Sequence, residues 1–162
     1  EPLETSGTYS SAYACNLWGK DGVYEYVREK HEESDFPYIT QEGIDREDSP
    51  LSYIKNMHHG SVAGYKYFKF DHEVMIKLLI KAYGKGKIRI WAENEHLQDD
   101  RYQMVNNLCD GDPLLVTEID VEYNEDKHYV KSSIDLNDTI TLYVEYIGEG
   151  YIDFYELGFE GK

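Results

Sequence analysis

The stretch "DTITLYVEYIGEGYIDFYELGF", residues 138–159, limits the fold more than any other part of the chain. Ile140, Leu142, Val144 and Tyr146 alternate with Thr141, Tyr143, Glu145 and Ile147. A period of two is the pattern of a strand with one face on a core and the other in water. Gly148 and Gly150 supply a turn, and a further strand follows with Ile152 and Phe154 inward. Such strands must bury their apolar faces against another layer.

The rest of the chain offers that layer. "LLVTEIDVEY" (114–123) sets Leu115, Thr117, Ile119, Val121 and Tyr123 on one face, and "GKIRIWAE" (86–93) points Ile88 and Ile90 inward with Trp91 opposite. "HEVMIKLLIKAYGKG" (72–86) fits a helical stripe through Met75, Ile76, Leu79, Ile80 and Tyr83 as well as a strand face through Ile76, Leu78, Ile80 and Ala82. Its neighbours are strands joined by Gly, Asn and Asp turns, which decides for a strand. In "YIKNMHHGSVAGYKYFKF" (53–70), Val62, Phe68 and Phe70 are the apolar anchors, and Gly60 and Gly64 allow a bend. "SSAYACNLWG" reads as a strand, "VYEYVREKHEESDF" as a polar hairpin or short helix, and "PYITQEGIDREDSPLS" as a long loop. The expectation is an all-β, mostly antiparallel jelly-roll β-sandwich, one domain over residues 1–162.

Charge narrows the partners. Thirty-two acidic against sixteen basic residues leave a net charge of −16. Such a surface repels phosphate backbones and anionic lipid, so neither nucleic acid nor membrane is expected as a partner. It also disfavours a polyuronate unless a local basic patch intervenes. A neutral partner or a cation fits better. No apolar run reaches membrane-spanning length, and "EPLETSGTYSS" does not read as a signal peptide. Cys15 and Cys109 fit one disulfide or two free thiols equally well.

Reactive motifs are wanting. The side chains of His58 and His59 diverge as neighbours do, and no HExxH or Cys/His metal spacing accompanies them. "DLNDTITLYVEY" has the alternating oxygen donors of a calcium loop, but Ile140 stands where glycine is required and Tyr146 where a bidentate Glu is required. There is no GxSxG elbow and no cysteine in a reactive setting. What remains is aromatic. Trp18, Trp91, Tyr102, Tyr129 and Tyr151 fall at turns or outward strand positions, where a flat ring can stack on a pyranose while neighbouring polar groups bond its hydroxyls.

The stretches "DREDSPLSYIKNMHHGSVAGYKYFKF" and "LYVEYIGEGYIDFYELGF" resemble the non-catalytic C-terminal β-sandwich of some family 43 glycoside hydrolases, which is similar to family 6 carbohydrate-binding modules with their galactose-binding-like fold. The resemblance covers roughly residues 10 to 160. It implies a module that is not itself an enzyme, binding a neutral cell-wall polysaccharide for a covalently attached hydrolase and working outside the cell. It further implies a sugar cleft at loops on one end of the sandwich, flanked by two aromatics and an Asn before the last strand's Ile-Asp; some members use a second cleft on a sheet face. Tyr151 stands where that Asn is usual, and Tyr129 or His128 falls at one aromatic position. No aromatic follows Gly60. The candidate sugar-binding residues are therefore Tyr129, Tyr151, Trp91, His58, His59 and Trp18. Asp153 matches one ligand position of the family's structural calcium, whereas Cys15-Asn16 replaces the usual first-strand acid. Two other roles stay open: a brace for a catalytic domain without glycan binding of its own, and an independent hydrolase, which needs paired carboxylates in a cleft.

Overall fold

A computed structural model describes residues 2–20, 35–42, 52–106, 109 and 111–161. Within them the expected all-β sandwich forms. The first sheet runs β1 (Leu3–Glu4), β6 (Ser61–Phe70), β11 (Asp138–Gly148), β8 (Gly86–Glu93), β9 (Leu114–Val121), and β3 (Asn16–Trp18) shares the free edge of β6 with β1. The second runs β10 (Asn124–Asp135), β7 (Glu73–Ala82), β12 (Tyr151–Gly161), β5 (Ser52–His58), β4 (Tyr38–Gln41), with β2 (Gly7–Ser10) also on β12. Every described pairing is antiparallel except that of β1 with β6.

The core lies where the alternation predicts. Ile76, Leu78, Ile80 and Ala82 of β7 face Ile88 and Ile90 of β8 and Ile140, Leu142, Val144 and Tyr146 of β11, all without solvent exposure. "HEVMIKLLIKAYGKG" is thus a strand. Phe68, Phe70, Ile152 and Phe154 join the same core. Burial pushes the Tyr146 hydroxyl up to about 12, and it donates to the Glu149 carbonyl at 2.5 Å.

Several expectations fail for local reasons. "SSAYACNLWG" is not one strand, because a 3-10 turn at Ser11–Tyr13 carries the chain from the second sheet to the first. The Ser10 hydroxyl caps this turn by accepting from the Ala12 amide at 3.1 Å. The buried Ser11 hydroxyl accepts from the Ile54 amide and donates to the Phe154 carbonyl, fastening the crossing to both neighbours. "PYITQEGIDREDSPLS" is not all loop: Tyr38–Gln41 forms edge strand β4 on β5, and residues 43–51 lie outside the described residues. Most of "VYEYVREKHEESDF" lies outside them too. The 115–123 stripe is split by a register shift opposite Ile90 and Trp91, so Ile119 and Val121 enter the core while Leu115 does not. Gly64 sits inside β6, where it makes no bend; a Cβ there would come within 3.2 Å of the Tyr143 ring. Cys15 and Cys109 are free thiols, the first exposed.

The largest departure concerns Trp91, expected to stand outward as a platform. It does lie on the outer face of the first sheet, but the connection between β8 and β9 folds back over that face. Trp91 is 0% exposed and packs with Val62, Met104 and Tyr143, against which Trp18, Cys109 and Leu115 also lie. Trp18 stacks on Tyr143 with ring centres 6.2 Å apart. Thr141, Tyr143 and Glu145, the expected wet face of β11, are buried with them. One carboxylate fastens the cover: Glu145 Oε1 accepts from the Trp91 indole at 3.1 Å and Oε2 from the Val105 amide at 2.8 Å. Burial raises its pKa, against the pull of those two donors and of Arg89. Both partners are donors, so a glutamine would satisfy one and confront the other with its own NH2. Glu145→Gln is expected to cost about 1–3 kcal/mol in urea unfolding, and Trp91→Ala about 3–5 kcal/mol.

Candidate functional site

The site begins with a break in alternation. Along β5, Ile54 points into the core and Lys55 away from it. Strict alternation would bury His58. Instead the step from Ile54 to Met57 on β5 spans only Phe154 to Ile152 on β12, which leaves one extra residue on β5. Asn56 takes a φ of 74°, a left-handed conformation that asparagine tolerates. This bulge resets the pattern, so Met57 is buried and His58 emerges on the outer face. Asp153 holds it in place. The carboxylate is 1% exposed; Oδ1 accepts from the Asn56 amide at 3.1 Å and Oδ2 from Lys55 Nζ at 3.1 Å. Burial works against the Lys55 ammonium, but the charge and hydrogen bond of Asp153 outweigh it and its pKa is raised.

His58 then stacks on Tyr151, its partner across the ladder, at 5.0 Å and 25°. Tyr151 stacks on Tyr83 at 4.7 Å and 24°, and Tyr83 meets Tyr123 edge-on at 6.5 Å. Because β12 lies between β5 and β7, Tyr151 has a ring against each of its faces. His58 also lines a cleft of about 310 Å³, together with Lys20, Asp35, Phe36, His59, Gly148 and Gly150.

Two sheet-to-sheet turns build this cleft. The turn from β5 to β6 and the turn from β11 to β12 meet where the Gly60 amide donates to the Tyr146 carbonyl at 2.8 Å and the Gly148 amide donates to His59 Nδ1 at 3.1 Å. That bond places the His59 proton on Nε2. His58 Nδ1 lies 3.3 Å from the Asn56 carbonyl, and its Nε2 faces Asp35 Oδ1 at 3.5 Å. Gly60 has a φ of +87°, and a Cβ on it would come within 2.9 Å of the Lys20 and Val105 side chains. Glycine at this turn is what lets Lys20 pack against the cleft wall.

Of the residues singled out in the sequence, His58 and His59 line the cleft and Tyr151 supports it. Trp91 and Trp18 belong to the covered face of the first sheet. Tyr129 is exposed on the outer face of the second sheet, outside the cleft, where its hydroxyl donates to Glu156 at 3.1 Å and Lys77 Nζ lies 5.1 Å from its ring centre. Tyr102 is exposed on the cover beside Arg101. Asp153 does not suit calcium, because the Lys55 ammonium and a backbone amide already occupy its oxygens. Among the described residues no group of three or more His, Cys, Asp or Glu side chains converges on a metal position. Lys20, Asp35 and Phe36 were not legible as site residues, since nothing local marks a position that only folding brings beside residues 58 and 148.

No protein-family model matches the chain. The fold is that of the family 6 carbohydrate-binding modules. A family 6 module from Clostridium stercorarium, solved with cellobiose, superposes with a TM-score of 0.68 at 10% identity over 100% of this chain and 98% of that one. A β-1,3-glucan-binding family 6 module from Bacillus halodurans gives 0.65 at 12% identity, over 99% and 100%. A family 43 arabinoxylan arabinofuranohydrolase from Bacillus subtilis, solved with cellotetraose, gives 0.62 at 11% identity over 100% of this chain and 28% of that enzyme. In sequence, 91 residues (56% of the chain) are 35% identical to a xylosidase/arabinosidase of Thermoclostridium stercorarium, of which they make up 19%.

Removing the carboxylate at 153 takes away two polar tethers of the bulge, those to the Asn56 amide and to Lys55. Asp153→Ala is expected to lower stability by about 2–4 kcal/mol. The loss in urea unfolding should be the same with and without a chelator; a loss that vanishes in chelator would make Asp153 a metal ligand instead.

Proposed function

We propose that this domain is a non-catalytic carbohydrate-binding module that holds an attached glycoside hydrolase on a plant cell-wall hemicellulose, such as a xylan or a β-glucan. The observation that carries the reading is the cleft at the loop end of this fold. It combines two aromatic side chains, Phe36 and His58, with polar side chains of a kind that bonds sugar hydroxyls, Asp35, His59 and Lys20. Asp35 is the one carboxylate among its described lining residues, whereas glycoside hydrolysis ordinarily works with two flanking the bond. The chain spans about a fifth of the xylosidase/arabinosidase it matches, which supports a hydrolase as the neighbouring domain. A polymer too large to enter a cell puts the working site outside it.

Stacking and hydrogen bonding in a cleft open to water yield modest net energies, so dissociation constants should fall between about micromolar and millimolar, roughly −8 to −4 kcal/mol. Retention of the chain on xylan, arabinoxylan, β-glucan and mannan gels tests the reading. We expect retention on a hemicellulose, weakened about tenfold or more by His58→Ala. Loss on Tyr129→Ala instead would move the site to the sheet face. Retention on no glycan would favour the bracing role.

A further inference from the structure

The first sheet carries a bulge of its own, where β6 ends and β11 begins, away from the cleft. Between Tyr65 and Phe68, both in the core, β6 sets Lys66 and Tyr67 against Thr141 alone on β11. The extra residue turns Tyr67 outward, 49% exposed. On its other side Thr141 pairs with Glu93 of β8. The connection that covers Trp91 and Tyr143 starts one residue later, so the row Tyr67, Thr141 and Glu93 stays open as a pocket of about 310 Å³, which Glu95 and Asp138 also line.

Three features of this pocket point to one kind of ligand. Its described lining residues supply three carboxylates, those of Glu93, Glu95 and Asp138, and no Lys, Arg or His. Among the described residues the one charged group within ion-pairing distance of them is His96, beside Glu95. The whole connection over residues 94–113 holds a single Lys or Arg, and that residue, Arg101, is spent on Asp99. The carboxylates do not converge as metal ligands would. The second feature is an unspent hydroxyl. Thr141 is 7% exposed and lines the pocket, yet no hydrogen bond among the described residues engages its side chain; a buried polar group without a partner is costly. The third is the Tyr67 ring, on which no other described ring packs. Its face attracts a cation and its breadth suits a pyranose.

We infer that this pocket binds an amino sugar through its free ammonium. The ammonium sits between the carboxylates and the Tyr67 ring, and a hydroxyl of the same sugar bonds Thr141. The net charge of −16 draws the same cation toward the surface, while the ring and the hydroxyl select what stays bound. The site shares no residue with the loop-end cleft and stands whether or not that cleft binds a hemicellulose.

Titration of the intact chain with a β-1,4-linked glucosamine trisaccharide, followed by amide NMR shifts at about pH 6, where an amine of ordinary basicity is protonated, tests this against the N-acetylated trisaccharide. Shifts are expected around residues 67, 93–95 and 138–141, and acetylation should weaken binding about tenfold. Tyr67→Ala and Thr141→Val leave the net charge unaltered, and each should weaken binding of the amine about threefold to tenfold; Tyr67→Phe keeps the ring and should keep the binding. Equal affinity for the free and acetylated trisaccharides overturns the inference. So does an affinity indifferent to both weakening variants, which marks a cation drawn to the acidic surface at large. Shifts centred on residues 58–60 place the amine in the cleft and overturn it as well.

Discussion

The arrangement of the binding end depends on one buried carboxylate. Asp153 lies near the start of a strand that touches β7 on one side and β5 on the other, and its two oxygens are spent on the backbone and side chain of adjacent β5 residues. A carboxylate so buried is costly without partners, and these partners exist only if β5 bulges. The bulge in turn decides which of Met57 and His58 is inside, since a shift of one residue exchanges the faces of everything beyond it. His58 therefore reaches the cleft because Asp153 is elsewhere satisfied. A carboxylate that the family resemblance marks as a metal ligand acts here as the fastener of a strand irregularity, and the geometry of the cleft follows from it.

A second buried carboxylate shapes the opposite side of the sandwich. Glu145 fixes the β8–β9 connection over the outer face of the first sheet by joining the Trp91 indole to the Val105 amide. Under that cover the rings of Trp18, Trp91 and Tyr143 are core, not platform. Val105 also reaches the β5–β6 turn, where a Cβ on Gly60 would meet it at 2.9 Å. The cover thus closes one sheet face and buttresses the end at which the cleft opens.

These two carboxylates also mark how far the sequence could be read. Period two identifies strands wherever one face is apolar, and it resolved β8 and β11, where Ile, Leu and Val alternate cleanly; β7 fitted a helical stripe equally well and was decided by its neighbours. It carries no information about a bulge, since Asn56 looks like any polar residue of a strand, and so it does not predict the outward turn of His58. Nor does it reveal that a polar face is covered. Glu145 and Thr141 alternate as solvent-facing residues should, and their burial is imposed by a connection that starts at residue 94. Trp91 was misread for that reason. The cleft itself draws on residues 20, 35, 58 and 148, and such long-range convergence leaves no local period to detect.

The row of rings beside the cleft is packed largely against itself. Rings on neighbouring strands of one sheet sit close enough to stack on one another, and His58, Tyr151 and Tyr83 do so at 5.0 and 4.7 Å. Each internal stack removes ring faces that a pyranose would otherwise cover. Only the ends of the row keep a free face, and the Tyr83 end is met edge-on by Tyr123. The row has therefore exchanged open ring faces for rigidity at the end of the sandwich where the cleft lies.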